Sequence, residues 1–184
     1  MADGFNAAPT VIKVVRIGNP VLRKEAQPLS PEEIKDPKTA EFIESMVATM
    51  REYGGAGLAA PQVNVSKQIM IIEESAGKNR VDGVEHALTV LINPQITSFS
   101  DEAAEGWEGC LSVPDLWGRV RRSVAVTVKA ISPEGNETEI KADGYFAVKL
   151  QHEIDHLYGK LFIDRMEDLS TLCFTEEQHK YWNE

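Results

Sequence analysis

The stretch GYFAVKLQHEIDHLYG, residues 144–159, decides how the rest of the chain is read. Asp143 before it is a candidate N-cap and Gly159 a candidate C′ residue, so the spacing predicts about four turns of helix. Residues four apart share a helical face, so His152 and His156 present their imidazoles to one point. Glu153 is one step around from His152, too close to ligate beside it but next to a water that a held ion would activate. In that arrangement the metal lowers the water's pKa and the carboxylate takes its proton. The plainer reading is two polar histidines on a surface helix with an incidental glutamate.

Working outward, a second helix is predicted from Pro37 to Tyr53, with Asp36 as N-cap and Gly54–Gly55 as its stop. Phe42, Ile43, Met46, Val47 and Met50 recur at the three-and-four spacing of one apolar face. Between the two helices, KQIMIIEES, HALTVLIN and SVAVTVKAIS are short runs rich in Ile and Val, separated by the turn-like NRVDG and SPEGNE. They read as strands. Helix, then strands, then helix indicates α+β rather than alternating βαβ units. The 184 residues fit one domain, with residues 170–184 either a terminal helix packed on the body or a fraying tail.

A catalytic metal needs a third protein ligand and one open position. A histidine six positions after His156 would serve, but Phe162 stands there. Downstream carboxylates are Glu167, Glu176 and Glu177. Upstream, EGCLSVP offers Cys110, whose thiolate would complete a His₂Cys set, with Gly109 allowing close backbone approach and the Leu111 amide able to face the ion. A free cysteine is otherwise a small buried hydrophobe.

The glycine-rich GGAGLAAPQV, residues 54–63, lacks the lysine and spacing of a phosphate-binding loop. Gly55 and Gly57 let the backbone bend around a ligand, and Gln62 offers an amide donor to a developing oxyanion. The same stretch also reads as a tight connection of small residues.

A formal charge of −10 argues against autonomous binding to nucleic acid or an anionic membrane. The cluster Arg119, Arg121 and Arg122 reads as a solvated charged edge. Two cysteines, Cys110 and Cys173, make no disulfide framework, and MADGFNAAPTVIKVVR lacks the basic and apolar regions of a secretion signal. A reducing, cytoplasmic setting is expected.

Three segments together, GAGLAAPQ at 55–62, EGCLS at 108–112 and QHEIDH at 151–156, resemble the three motifs of the peptide deformylases. IGNPVLRKEA, 17–26, is similar to that family's opening segment, so the likeness runs to about Arg165. The resemblance implies antiparallel sheets packed around the HExxH helix, and hydrolytic removal of the N-formyl group from nascent chains that begin with formyl-methionine. It implies a bacterial cytoplasmic enzyme whose substrates emerge at the ribosome. Carried onto this chain, it assigns the metal to Cys110, His152 and His156, general acid–base work to Glu153, and oxyanion donors to Gln62 and the Leu111 N–H. Substrate binding falls to Gly55, Ala56, Gly57, Glu108 and Val148, with Ala56, Val148 and Leu150 forming an apolar slot for the methionine side chain. Ala56 stands where the family often has a larger aliphatic residue. The implied ion is Fe(II), with zinc, nickel or cobalt as substitutes; a His₂Cys set suits both zinc and iron. Lys149 is expected to snorkel outward at the rim and Asp155 to act as a structural partner.

Two other functions share the same helix. A zinc endopeptidase would take its third ligand from a downstream carboxylate rather than an upstream cysteine. A metal-stabilised peptide-binding module would need neither Glu153 nor Gln62.

Overall fold

Period-two alternation in IMII sets the layers. The computed structural model describes residues 9–73 and 88–182. In it, β1 (Gly57–Ala59) is paired antiparallel with β2 (Ile69–Ile72), which is buried along its whole length. Successive strand side chains point to opposite faces. Met70 and Ile72 accordingly join one apolar cluster, and Ile69 and Ile71 another. A continuous hydrophobic run of this kind belongs to a strand covered on both faces.

Neighbouring strands extend this sheet in the order β1, β2, β3 (Thr89–Phe99), β6 (Ala125–Ile131) and β7 (Glu137–Asp143), every pair antiparallel. The turn expected at SPEGNE joins β6 to β7, with Gly135 at a φ of +85°. The expected NRVDG turn lies outside the described residues. A second antiparallel sheet contains β4 (Ala103–Cys110), β5 (Val113–Ser123) and the short β8 (Cys173–Phe174), in that order. The protein is thus a mixed fold of helices and antiparallel sheets.

One face of the larger sheet is covered by α2 (Pro37–Glu52), which follows the short α1 (Pro31–Lys35). Asp36 caps α2 by accepting from the Lys38 N–H, and Ile43, Met46, Val47 and Met50 are buried as their spacing predicts. The other face takes α3 (Gly144–Leu157), whose Phe146, Ala147, Leu150, Ile154 and Leu157 pack on Met70, Ile72, Leu91 and Val128. Each fully buried side chain of that size contributes roughly 1.5–3 kcal/mol. Asp143 stands at the N-cap position of α3 without a side-chain capping bond, because the residue also ends β7. Gly159 ends the helix at a φ of +68°, and a Cβ there would meet the Arg23 carbonyl carbon at 2.7 Å. Any other residue would be strained and would clash with the opening segment.

Past α3, Leu161 and Phe162 fill a third cluster with Val113 and Val120 of β5. Phe162, at the position where a third histidine was sought, is therefore a core residue. The tail resolves into β8 and α4 (Thr175–Tyr181). The charged stretch before Cys110 forms β4, whose Glu105 lies on an exposed face and whose Glu108 is buried.

Candidate metal centre

Cys110 is the last residue of β4, where the pairing with β5 slips between Gly109 and Cys110. That irregularity turns the thiol toward α3. His152 and His156 lie on α3 one turn apart, their ring centroids 4.9 Å apart and the rings 82° from coplanar. The donor atoms of Cys110, His152 and His156 all lie within 4.8 Å of one another, the one group of three or more such donors among the described residues that could hold a metal ion. Cys110 Sγ is 3.3 Å from His156 Nε2. The third member of this group lies on an upstream strand, and none of the downstream glutamates joins it.

His152 is held by a neighbour. Glu108, two residues before Cys110, accepts from His152 Nδ1 at 2.7 Å, which fixes the ring and leaves Nε2 to face the donor cluster. Both Glu108 oxygens are also engaged by Arg122, through Nε at 2.8 Å and Nη2 at 3.0 Å. Arg122 Nη1 reaches Asp155 Oδ2 at 2.5 Å, and Asp155 is gripped again by Arg165. An alternating chain of charges thus ties the β4–β5 hairpin to the helix. Glu108, expected at the substrate, has its carboxylate spent inside this chain.

Arg122 was read as part of a solvated edge and is instead 7% exposed. A signal was present in the sequence. Gly118, Val120 and Arg122 alternate on the buried face of β5, so Arg122 is in phase with an apolar residue. Asp155, expected to be a structural partner, is one.

Gln62 is 2% exposed. Its Oε1 accepts from the Ala59 N–H at 2.8 Å, which forces Nε2 toward Cys110 Sγ at 3.5 Å. Glu153 is buried beside the cluster, and its Oε2 has no hydrogen-bond partner among the described residues. Below it lies Gly57: a Cβ there would stand 2.4 Å from Glu153 Oε1. The glycine makes room for the carboxylate. Gly55 does the same for Leu111, whose Cδ1 would be 2.8 Å from an added Cβ.

Burial pushes the Glu153 carboxyl up to about 7, with the charge of His152 opposing it. Burial also works against charge on His152, but hydrogen bonds to Cys110 and Glu108 outweigh it and raise that pKa well above the imidazole norm. For His156, burial and then the charges of His152 and Arg122 drive the pKa well below it. A soft sulfur donor and two imidazoles at ligating separations, with a carboxylate oxygen alongside that no described residue satisfies, fit a divalent transition metal with an open position.

A cleft of about 940 Å³ leads to this cluster, and Gly55, Ala56, Gly57, Gln62, Glu108, Cys110, Leu111, Val148, His152 and Glu153 all line it. Leu150 does not. It is fully buried in the core between α3 and the sheet, because its position on the helix faces Met70 rather than the opening. Lys149 lies in the cleft wall with its Nζ 4.6 Å from the centre of the Tyr145 ring.

Comparison with known proteins agrees with this arrangement. A family model described as polypeptide deformylase matches residues 11–171. A peptide deformylase of Halothermothrix orenii is 44% identical over 156 residues, covering 85% of this chain and 94% of that protein. One from Natranaerobius thermophilus is 43% identical over 168 residues, covering 91% and 97%. The crystal structure of a class I type b peptide deformylase from Acinetobacter baumannii, bound to Met-Ala-Ser, superposes with a TM-score of 0.82 at 39% identity, covering 86% of this chain and 99% of its own. Three motifs brought to one cleft, a family match over most of the length and close structural kinship lead to one conclusion: the chain belongs to the polypeptide deformylase family, metal-dependent hydrolases that remove the N-formyl group from new polypeptides.

Proposed function

We propose that Cys110, His152 and His156 hold one divalent ion, Fe(II) in the cell with zinc, nickel or cobalt as substitutes, and that Glu153 is the acid–base group. The observation carrying this reading is the donor cluster within 4.8 Å, beside a buried glutamate oxygen that no group among the described residues satisfies. When bound, the ion supplies a water of lowered pKa and polarises a carbonyl. Glu153 takes a proton from the attacking water and returns it to the leaving amine; its elevated pKa suits both halves of that task. Gln62 Nε2, aimed by the bond its Oε1 makes to Ala59, and the Leu111 N–H donate to negative charge developing on the formyl oxygen. Glu108 orients His152. Gly55, Ala56, Gly57 and Val148 line the path of the substrate, with Ala56 and Val148 offering apolar surface to the methionine side chain.

The 184 residues act as one catalytic unit in a bacterial cytoplasm, meeting substrate where it leaves the ribosome. The relatives above are bacterial, and no helix among the described residues is long and apolar enough to cross a membrane. The test uses protein prepared without oxygen. Incubated with formyl-Met-Ala-Ser, it is expected to release formate and leave Met-Ala-Ser intact, and metal analysis is expected to find iron. Cleavage inside an unformylated peptide would establish an endopeptidase instead, and a fully metallated sample that changes no peptide would establish a binding module.

A further inference from the structure

The family match ends at residue 171, yet the next eleven residues are built onto the cleft. β8 pairs with β5 through Leu116–Phe174 and Trp117–Cys173, directly behind two residues of the cleft wall. Thr171 Oγ1 accepts from the Arg119 N–H at 3.2 Å, and Leu172 packs in the cluster around Phe162. From this anchor α4 carries the chain back, and Trp182 meets Trp107 edge to face, with ring centroids 5.6 Å apart and planes at 61°. Trp107 is itself a wall residue of the cleft. No residue of α4 is buried, so the helix spans between its two attachments without a core of its own.

Trp107 and Trp117 form an aromatic rim. Trp117 lies across Gly109, whose added Cβ would stand 2.9 Å from the indole, and Gly109 precedes Cys110. Trp107 is three residues from Cys110 on the same strand, about 10 Å at roughly 3.3 Å per residue. An extended peptide with its formyl carbon beside Cys110 covers that distance by about its third residue.

We propose that Cys173–Trp182 is a positioning segment of the substrate cleft: Trp182 braces Trp107, and the braced rim receives apolar side chains at the third and later residues of the formylated chain. The inference rests on the deformylase reading but concerns peptide length only. Trp182 is 43% exposed and stands at the end of the described chain, so its removal leaves the core intact.

The experiment measures kcat and KM on formyl-Met-Ala and on formyl-Met-Ala-Phe-Phe, for the wild type, Trp182→Ala and Trp182→Phe. Trp182→Ala is expected to raise KM for the longer peptide about two- to tenfold, the range of one lost aromatic pair. Its kcat, its metal content and both constants on the shorter peptide stay unchanged. Trp182→Phe restores KM, because an aromatic edge still meets Trp107. A variant with equal effects on the two peptides, or with none, overturns the proposal, as does a fall in kcat or metal content. Wild-type protein inactive on both peptides would count against the deformylase reading, and direct titration with Met-Ala-Phe-Phe, read by tryptophan fluorescence, then still tests the rim: equal affinity in the wild type and Trp182→Ala overturns it.

Discussion

Replacing Gly57 with alanine tests how tightly Glu153 is placed. The added Cβ would stand 2.4 Å from Oε1, 2.8 Å from Cδ and 3.0 Å from Cγ of Glu153. Against the 3.4 Å at which ordinary contact begins, the carboxylate falls short by 3.4 − 2.4 Å, so it must withdraw by about 1 Å. The backbone at Gly57 is not in the left-handed region, so alanine meets no conformational strain there. A reacting group misplaced by about 1 Å costs on the order of 10²-fold in rate. Gly57→Ala is therefore expected to lower kcat about 100-fold while keeping its metal, since no donor to the ion is touched. Glu153→Ala sets the floor, with a loss of roughly 10²–10⁴-fold and metal retained. The double variant should be no slower than Glu153→Ala alone, because both changes remove one function. The assay is formate release under saturating formyl-Met-Ala, with metal measured on the same samples. A Gly57→Ala enzyme within about threefold of wild type would refute the steric reasoning. A loss that persists in the Glu153→Ala background would show that Gly57 acts on the substrate instead.

Cys110→Ala is expected to lose both metal and activity, because two imidazoles alone hold an ion weakly, while Cys173→Ala keeps both; metal analysis of the purified variants decides it. Arg122→Met strands the buried Glu108 and Asp155 carboxylates and should destabilise the fold by about 3–5 kcal/mol, read from urea unfolding of metal-free protein. Glu108 is held at about 2: burial opposes its charge, and His152 and Arg122 prevail. A depressed carboxylate stabilises the fold fully above its ordinary value of 4.5 and ceases to do so as pH falls toward 2, so unfolding free energy should decline across that window. Glu108→Gln should flatten that decline.

Local rules reached far into this sequence where the side chains on one face shared one fate. Asp36, Pro37 and the apolar stripe of α2 marked its span, and HEIDH on α3 announced two donors. The β4–β5 hairpin was harder. GWEGC and LWGRVRRS carry charges on both phases of the strand, and although its phase with Val120 sets Arg122 apart from Arg121, the partners that let it be buried lie 14 and 33 residues away in sequence. No periodicity records such a pairing. Leu150 was misplaced for a similar reason: it is a neighbour of Val148 in sequence, but 100° steps around a helix send the two to different surroundings. Gly57 was legible as a flexible residue and not as the space for a glutamate 96 positions later, which only tertiary packing reveals.

The chain of charges from Glu108 to Arg165 also restrains what it does not touch. Besides Glu153, two buried carboxylates lie close to the three donors in sequence, Glu108 near Cys110 and Asp155 next to His156. Carboxylates are good ligands, and either one swinging inward would fill the position a catalytic ion must leave open, converting a reactive site into a structural one. Each is prevented by arginine: Arg122 and His152 occupy both oxygens of Glu108, and Arg165 and Arg122 occupy both of Asp155. A lysine in place of Arg122 lacks the planar fork that reaches both carboxylates at once, so even that charge-conserving exchange would free a competing ligand.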